Sequence, residues 1–308
     1  MNIFYNRGIY VRGRKVRFVV DPTGPVDGVD FVLITHGHSD HVSRHVLRHL
    51  VVATRETFSA ISVKYGGLPP RRIAITPGGV IELGDVQIAA FDAGHILGSV
   101  MYFVEIDGVQ VLFTGDFNTI GSILTDAAEP VARPDILVME ATYGDPTYVF
   151  PNRAEVYDEL IDVVERNVKN QGVAIVAYPL GKAQEVSKLL GRLAGAHKSV
   201  ARYNMALGIS TGDNKDVVIV PSAKEAPRGY VKVEVSGWYA DIFLRRRALE
   251  GGIYGIPLSD HSDFPNLVDF AVNTSPRLIY TVYGYSEKLA RHLRKRGLRA
   301  YPIPRESF

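Results

Sequence analysis

The sequence predicts a mixed α/β protein in which a small strand–helix module is inserted into a larger β-rich unit. Three observations predict it. Over the first 145 residues, short β-rich runs are separated by turn residues. Near Tyr143-Gly144-Asp145-Pro146 the texture changes to strands alternating with amphipathic helices. From Ile256 onward the chain returns to a buried strand.

Residues 16–20 read as a strand ended by Asp21-Pro22, and residues 31–35, Phe-Val-Leu-Ile-Thr, as a buried strand. Further strands are expected at 86–91, 100–106, 109–113 and 136–139, with Gly or Asp-Gly turns between them. A helix is expected after His41. Residues 153–170 place Val156, Leu160, Val163, Val164 and Val168 on one face, a helix closed by Gly172. Then come a strand at 173–177, a helix from Lys182 to about Leu193, strands at 217–220 and 230–235, and a helix near 241–249. That alternation is the pattern of a parallel sheet. A strand at 277–282 and a helix with Ser286 as N-cap and Gly297 past its end complete the chain.

With 308 residues, 46% hydrophobic and 22% charged, the composition is that of a soluble globular protein. No apolar run of about 18 residues occurs, and the start of the chain lacks a signal-peptide core, so a cytoplasmic location without membrane contact is expected. There is no cysteine. Disulfides, thiolate zinc sites and cysteine nucleophiles are excluded together, and any metal must rest on nitrogen and oxygen donors. Net charge is only +2, yet Arg12, Arg14, Lys15 and Arg17 cluster, as do Arg245-Arg246-Arg247 and Arg291, Arg294, Lys295, Arg296 and Arg299. Such patches suit a phosphodiester backbone, and each alone reads equally well as a solvated helix face.

The strand at 31–35 runs into His36-Gly37-His38-Ser39-Asp40-His41. Three imidazoles and a carboxylate within six positions, at a strand end where the chain must turn, suit zinc, manganese or iron. Two later segments extend the pattern. His95 lies between glycines in Asp92-Ala93-Gly94-His95-Ile96-Leu97-Gly98-Ser99, and Asp116 ends the run Val111-Leu112-Phe113-Thr114-Gly115-Asp116.

In this order the motifs resemble the metallo-β-lactamase superfamily, which implies an αββα sandwich holding two divalent metal ions, zinc with manganese as an alternative. By that resemblance His36, His38 and His95 take one metal, Asp40 and His41 the other, and Asp116 bridges both. Asp21 is implied as a buried acceptor that orients the ligands. Met139-Glu140-Ala141-Thr142-Tyr143-Gly144 and Leu258-Ser259-Asp260-His261-Ser262-Asp263 resemble the nucleic-acid-cleaving β-CASP branch. This implies a discontinuous metallo-β-lactamase domain, 1–145 and 258–308, with a small α/β β-CASP domain, 146–257, inserted. Leu180-Gly181-Lys182-Ala183-Gln184, Ser236-Gly237-Trp238 and the ending Tyr283-Gly284-Tyr285 are similar to the ligase-associated DNA exonucleases, an Artemis-like subgroup. Tyr283 departs from that pattern. It stands where the subgroup has a histidine, which implies a weaker second metal.

The implied activity is hydrolysis of nucleic-acid phosphodiesters by a DNA exonuclease of repair, leaving a 5′-phosphate and a 3′-hydroxyl. Asp40, Glu140 and His261 are the expected catalytic residues. His261 is the natural general acid, and Glu140 would hold its other N–H and raise its pKa. Single-stranded DNA is the favoured partner, RNA the alternative, and association with a DNA ligase or a helicase is implied by resemblance alone. Two other functions are open: a β-CASP ribonuclease of RNA processing, including mRNA 3′-end processing, and a catalytically silent nucleic-acid-binding subunit. Lys182, at a helix start, and Arg245 and Arg246 are candidate substrate contacts. Trp238 and Tyr239 are able to stack a base, but core packing is the expected role. His45, His49, His197 and His292 match no motif and are read as structural or surface residues.

Overall fold

A computed structural model describes residues 1–131 and 133–306. Its strands form three sheets. The first takes Asn2–Tyr5, Ile9–Arg12, Arg17–Val20, Phe31–Leu33, Val51–Ala53 and Arg72–Ala74 in sequence order. The second is an antiparallel meander, Val80–Leu83, Val86–Asp92, Val100–Ile106 and Val109–Phe113, continued in parallel by Ile136–Glu140, Leu278–Val282 and Ala300–Pro302.

These two sheets pack face to face. Phe18, Leu33 and Val52 of the first meet Ile88, Tyr102, Val104 and Phe113 of the second in one cluster, as period-2 alternation along each strand requires. Helices cover the outer faces. Arg55–Tyr65 lays Phe58 and Ile61 against Val32, Ile34 and Val51, and Phe264–Thr274 and Ser286–Lys295 lay Leu267, Phe270, Leu289 and Leu293 against Leu112, Leu137 and Ile279. The result is the expected αββα sandwich.

The third sheet is wholly parallel, in the order Gly195–Ala196, Val217–Val220, Val173–Val176, Val231–Val235, Ile253–Ile256. Two of its inner strands, Val173–Val176 and Val217–Val220, are continuous Val/Ile/Ala runs, as burial on both faces demands. The helix Arg153–Val168 covers the sheet through Val156, Leu160, Val163 and Val164.

Three local expectations are corrected. After His41 the helix is only a 3-10 turn, Arg44–Arg48, because His49 turns extended (φ −111°, ψ 169°) to enter the strand Val51–Ala53. Ser286 is the first residue inside its helix, and Tyr285 is the N-cap. The helix at Lys182 stops at Leu190 and gives way to a 3-10 turn. Among the described residues no helix is long and apolar enough to cross a membrane.

Candidate metal centre

Strand ends converge on one rim of the sandwich. Arg17–Val20 delivers Asp21, Phe31–Leu33 leads to His36, Val109–Phe113 leads to Asp116, Ile136–Glu140 finishes at Glu140, and Leu278–Val282 leads into Tyr283. Asp116 reaches its place through Gly115, whose φ of 56° is left-handed and whose Cβ would sit 2.4 Å from Thr35 Oγ1.

Each histidine of the cluster is pinned by one nitrogen. His38 Nε2 donates to Leu180 O at 2.9 Å and His95 Nδ1 to Asp260 O at 2.8 Å. Carbonyls only accept, so these nitrogens carry the protons. Thr35 gives its hydroxyl proton to Asp21 Oδ2 (2.6 Å) and accepts from His36 Nδ1 (3.0 Å). His41 Nδ1 donates to the same Asp21 oxygen at 2.9 Å. Asp21, itself at φ 50°, thus orients two imidazoles from behind.

The other nitrogens of His36, His38 and His95 point inward without protons. His36 Nε2 and His95 Nε2 each lie 3.1 Å from His38 Nδ1, and 3.6 and 3.8 Å from Asp116 Oδ2. These four donor atoms are within 4.8 Å of one another. Lone pairs at such separations repel, and a cation among them removes the repulsion. Burial also strips the protons that could do so: it lowers His38, lowers His36 far below the ordinary histidine value with help from the neighbouring His41, and lowers His95 to about 3. Three neutral imidazoles and a carboxylate fit a divalent ion of the zinc or manganese type.

The second position is less complete. His41 Nε2 lies 3.2 Å from Asp116 Oδ2. Burial opposes a charge on His41, but Asp116 and Asp21 outweigh it and hold the imidazole well above its ordinary value. Asp116 stays well below the carboxylate range in turn, since His41 and His261 outweigh its own burial. Asp40 is exposed and belongs to none of the close donor groups among the described residues, yet its charge acts on both His38 and Tyr283. Tyr283, at φ 62°, sets its ring edge-on to His41 with centroids 5.1 Å apart. Its hydroxyl is buried with no partner among the described residues, and burial pushes the phenol well above its ordinary value, so it stays neutral.

His261 faces this centre. Its Nδ1 donates to both Glu140 oxygens at 2.9 Å, while Nε2 lies 4.0 Å from Asp116 Oδ2. Glu140 is held in turn by Phe117 N–H at 2.8 Å. Burial works against the charged imidazole, but Glu140 and then Asp116 push it up to about 9.

A family description, the β-lactamase superfamily domain, matches residues 4–190. The chain belongs to the β-lactamase superfamily. A probable DNA ligase of Opitutus terrae is 28% identical over 88% of this chain and 28% of that protein. The endoribonuclease ysh1 of Schizosaccharomyces pombe is 30% identical over 55% of the chain and 26% of that protein, and an RNase J-like protein of Methanocaldococcus jannaschii 34% identical over 33% and 25%. The chain therefore spans about a quarter of the length of these relatives. A crystal structure of a protein of unknown function from Enterococcus faecalis shares the superfamily fold, with a TM-score of 0.71 at 14% identity over 99% of this chain and 98% of that one.

The candidate substrate contacts differ in their surroundings. Lys182 is 7% exposed and its Nζ is bonded to Asp260 Oδ1 at 2.5 Å, so its charge is taken up inside the fold. Arg245 pairs with Glu159 and Arg246 with Glu250, and among the described residues neither is bonded to the histidine cluster. Trp238 is not a core residue: it is 39% exposed, whereas Tyr239 packs on Gly255 and bonds Glu234. The Lys182–Asp260 pair has no sequence signal beyond Asp260 adjoining His261.

Proposed function

We propose that the chain is a metal-dependent nuclease of the β-CASP branch, and specifically a DNA exonuclease of repair. The observation that carries the phosphodiesterase reading is His261, with one nitrogen held by Glu140 and the other facing the neutral donor cluster. In this reading His36, His38, His95 and Asp116 hold the first metal. His41, Asp116 and Asp40 hold the second, which has fewer buried donors and binds more weakly. Zinc is the expected ion, with manganese able to replace it. Bound divalent ions would supply a nucleophile near neutral pH and neutralise phosphoryl charge. His261 holds the proton that the departing oxygen takes, and Glu140 fixes the tautomer that keeps this proton on the nitrogen facing the rim. The products are then a 5′-phosphate and a 3′-hydroxyl.

Residues 146–257, which carry the parallel third sheet, form the inserted unit in this reading, with 1–145 and 258–308 as the discontinuous metal-binding domain. Action on DNA is favoured by the probable DNA ligase that aligns over most of the chain, and single-stranded DNA as substrate with a DNA ligase as partner follows in this reading. A ribonuclease is the second reading, favoured by the relatives named endoribonuclease and RNase J-like. Matched single-stranded DNA and RNA, labelled at either end and incubated with zinc or manganese, separate the two. Stepwise loss of DNA from one end supports the proposal, and cleavage of RNA alone overturns it.

A further inference from the structure

The aromatic side chains beside His261 lead out of the core to the surface. Tyr143 is buried, with its ring 5.8 Å from that of His261 and 4.6 Å from that of Trp238. Trp238 also meets Tyr148 at 5.2 Å and Tyr285 at 6.5 Å. Lys288 Nζ stands 4.8 Å over the Tyr285 ring. The indole packs on these three rings, and Gly237 beside it has no room for a Cβ, which would lie 2.5 Å from the Tyr143 hydroxyl. Yet Trp238 leaves 39% of itself in water, and the next helix, Ile242–Glu250, has no buried residue and presents Phe243 at 80% exposure.

We infer that Trp238 and Tyr285 form a stacking platform for the bases of a single-stranded nucleic acid whose phosphodiester lies at His261. The inference rests on the phosphodiesterase reading above. A packed indole, partly in water and one ring removed from the general acid, is placed to receive the base of a nucleotide next to the scissile linkage. Stacking asks only for a π-face and so tolerates any base, as a nuclease moving along a strand requires. Half-exposed Lys288, over the Tyr285 ring, is paired with Asp145, and Arg246, 80% exposed on the following helix, with Glu250; such exposed pairs are worth little, so their cations exchange readily onto a phosphate backbone. An apolar protein partner would gain nothing from these cations.

The chain contains one tryptophan, so its fluorescence reports on this position alone. Oligodeoxythymidylate, oligouridylate and a matched oligomer of abasic spacers are titrated into the full chain, with chelator present to prevent cleavage. The expected result is saturable quenching by the base-bearing strands and none by the abasic strand. Trp238→Ala is expected to weaken binding about 10-fold, measured by anisotropy of a labelled strand, and Trp238→Phe to restore most of it. The Phe variant keeps the ring, so the comparison survives any local disturbance in the Ala variant. Equal responses to base-bearing and abasic strands, or no quenching from a chain that cleaves oligonucleotides when metal is restored, would overturn the platform and leave the nuclease reading standing. A chain that neither binds nor cleaves overturns both.

Discussion

In the proposed nuclease His261 and Glu140 act as one unit, because the imidazole serves a leaving group only while it carries a proton on Nε2. Replacing Glu140 by Gln keeps the size and removes the charge. The expected result is a fall in kcat of about 10²–10⁴-fold with little change in KM, the range for loss of general acid–base catalysis. A change confined to KM would contradict this assignment. The same pair predicts a pH effect on metal-free protein. The folded pKa of His261 is raised to about 9, so its stabilising contribution is complete below the ordinary histidine value of about 6.5 and is lost as pH rises through about 9. Thermal unfolding should show Glu140→Gln destabilised near pH 6 and nearly level with the parent above pH 9, and a difference that does not shrink with pH would refute the linkage. At this scale the run from His36 to His41 was legible because the donors are nearly consecutive, although its spacing gave no sign that Asp40 would be exposed while His41 is buried. The bond from Lys182 to Asp260, across 78 positions, had no local pattern to betray it.

Among elements, the strands were legible where hydrophobic runs are long enough to show a period. Val100–Ile106 and Val109–Phe113 are such runs. The three-residue strands Val51–Ala53 and Arg72–Ala74 are too short, and Lys198–Ala206 buries only Val200 and Asn204, too few to mark a helical face. Where a strand ends, the register that packs the core also aims the site. Phe113, 1% exposed in the sandwich core, precedes Asp116 by three residues. Phe113→Ala should cost roughly 3–5 kcal/mol in chemical denaturation and lower metal affinity together with stability. A second joint runs between the helix Lys182–Leu190 and the loop bearing His261. Lys182→Ala strands the buried Asp260 carboxylate, with an expected loss of about 3–5 kcal/mol, and the double change with Asp260→Ala should recover part of it. If the single change is neutral by denaturation, the pair does not brace that loop.

At the scale of the whole molecule, three neutral imidazoles and a carboxylate gathered from both sheets make metal binding a folding term. Zinc at 100 times its dissociation constant should stabilise the protein by about 2.7 kcal/mol, seen as a rise in Tm that a chelator reverses. His41, kept protonated between Asp21 and Asp116 without metal, should release a proton as the second ion binds, measurable as a buffer-dependent enthalpy in calorimetry. The sandwich and its layers were foreshadowed by the order of motifs along the chain. The aromatic surface at Trp238 was not, because residues from distant segments, Tyr143, Trp238 and Tyr285, meet only in the fold.

In the proposed nuclease, Asp116 and the histidines around it carry a metal-dependent attack on a phosphodiester. The most direct measurement is degradation of end-labelled single-stranded DNA by the parent and by Asp116→Ala, each with added zinc or manganese and each with chelator. The parent should degrade the strand only with metal, and Asp116→Ala should be inactive in every condition. Degradation by Asp116→Ala at the parent rate, or by the parent in chelator, would contradict the claim.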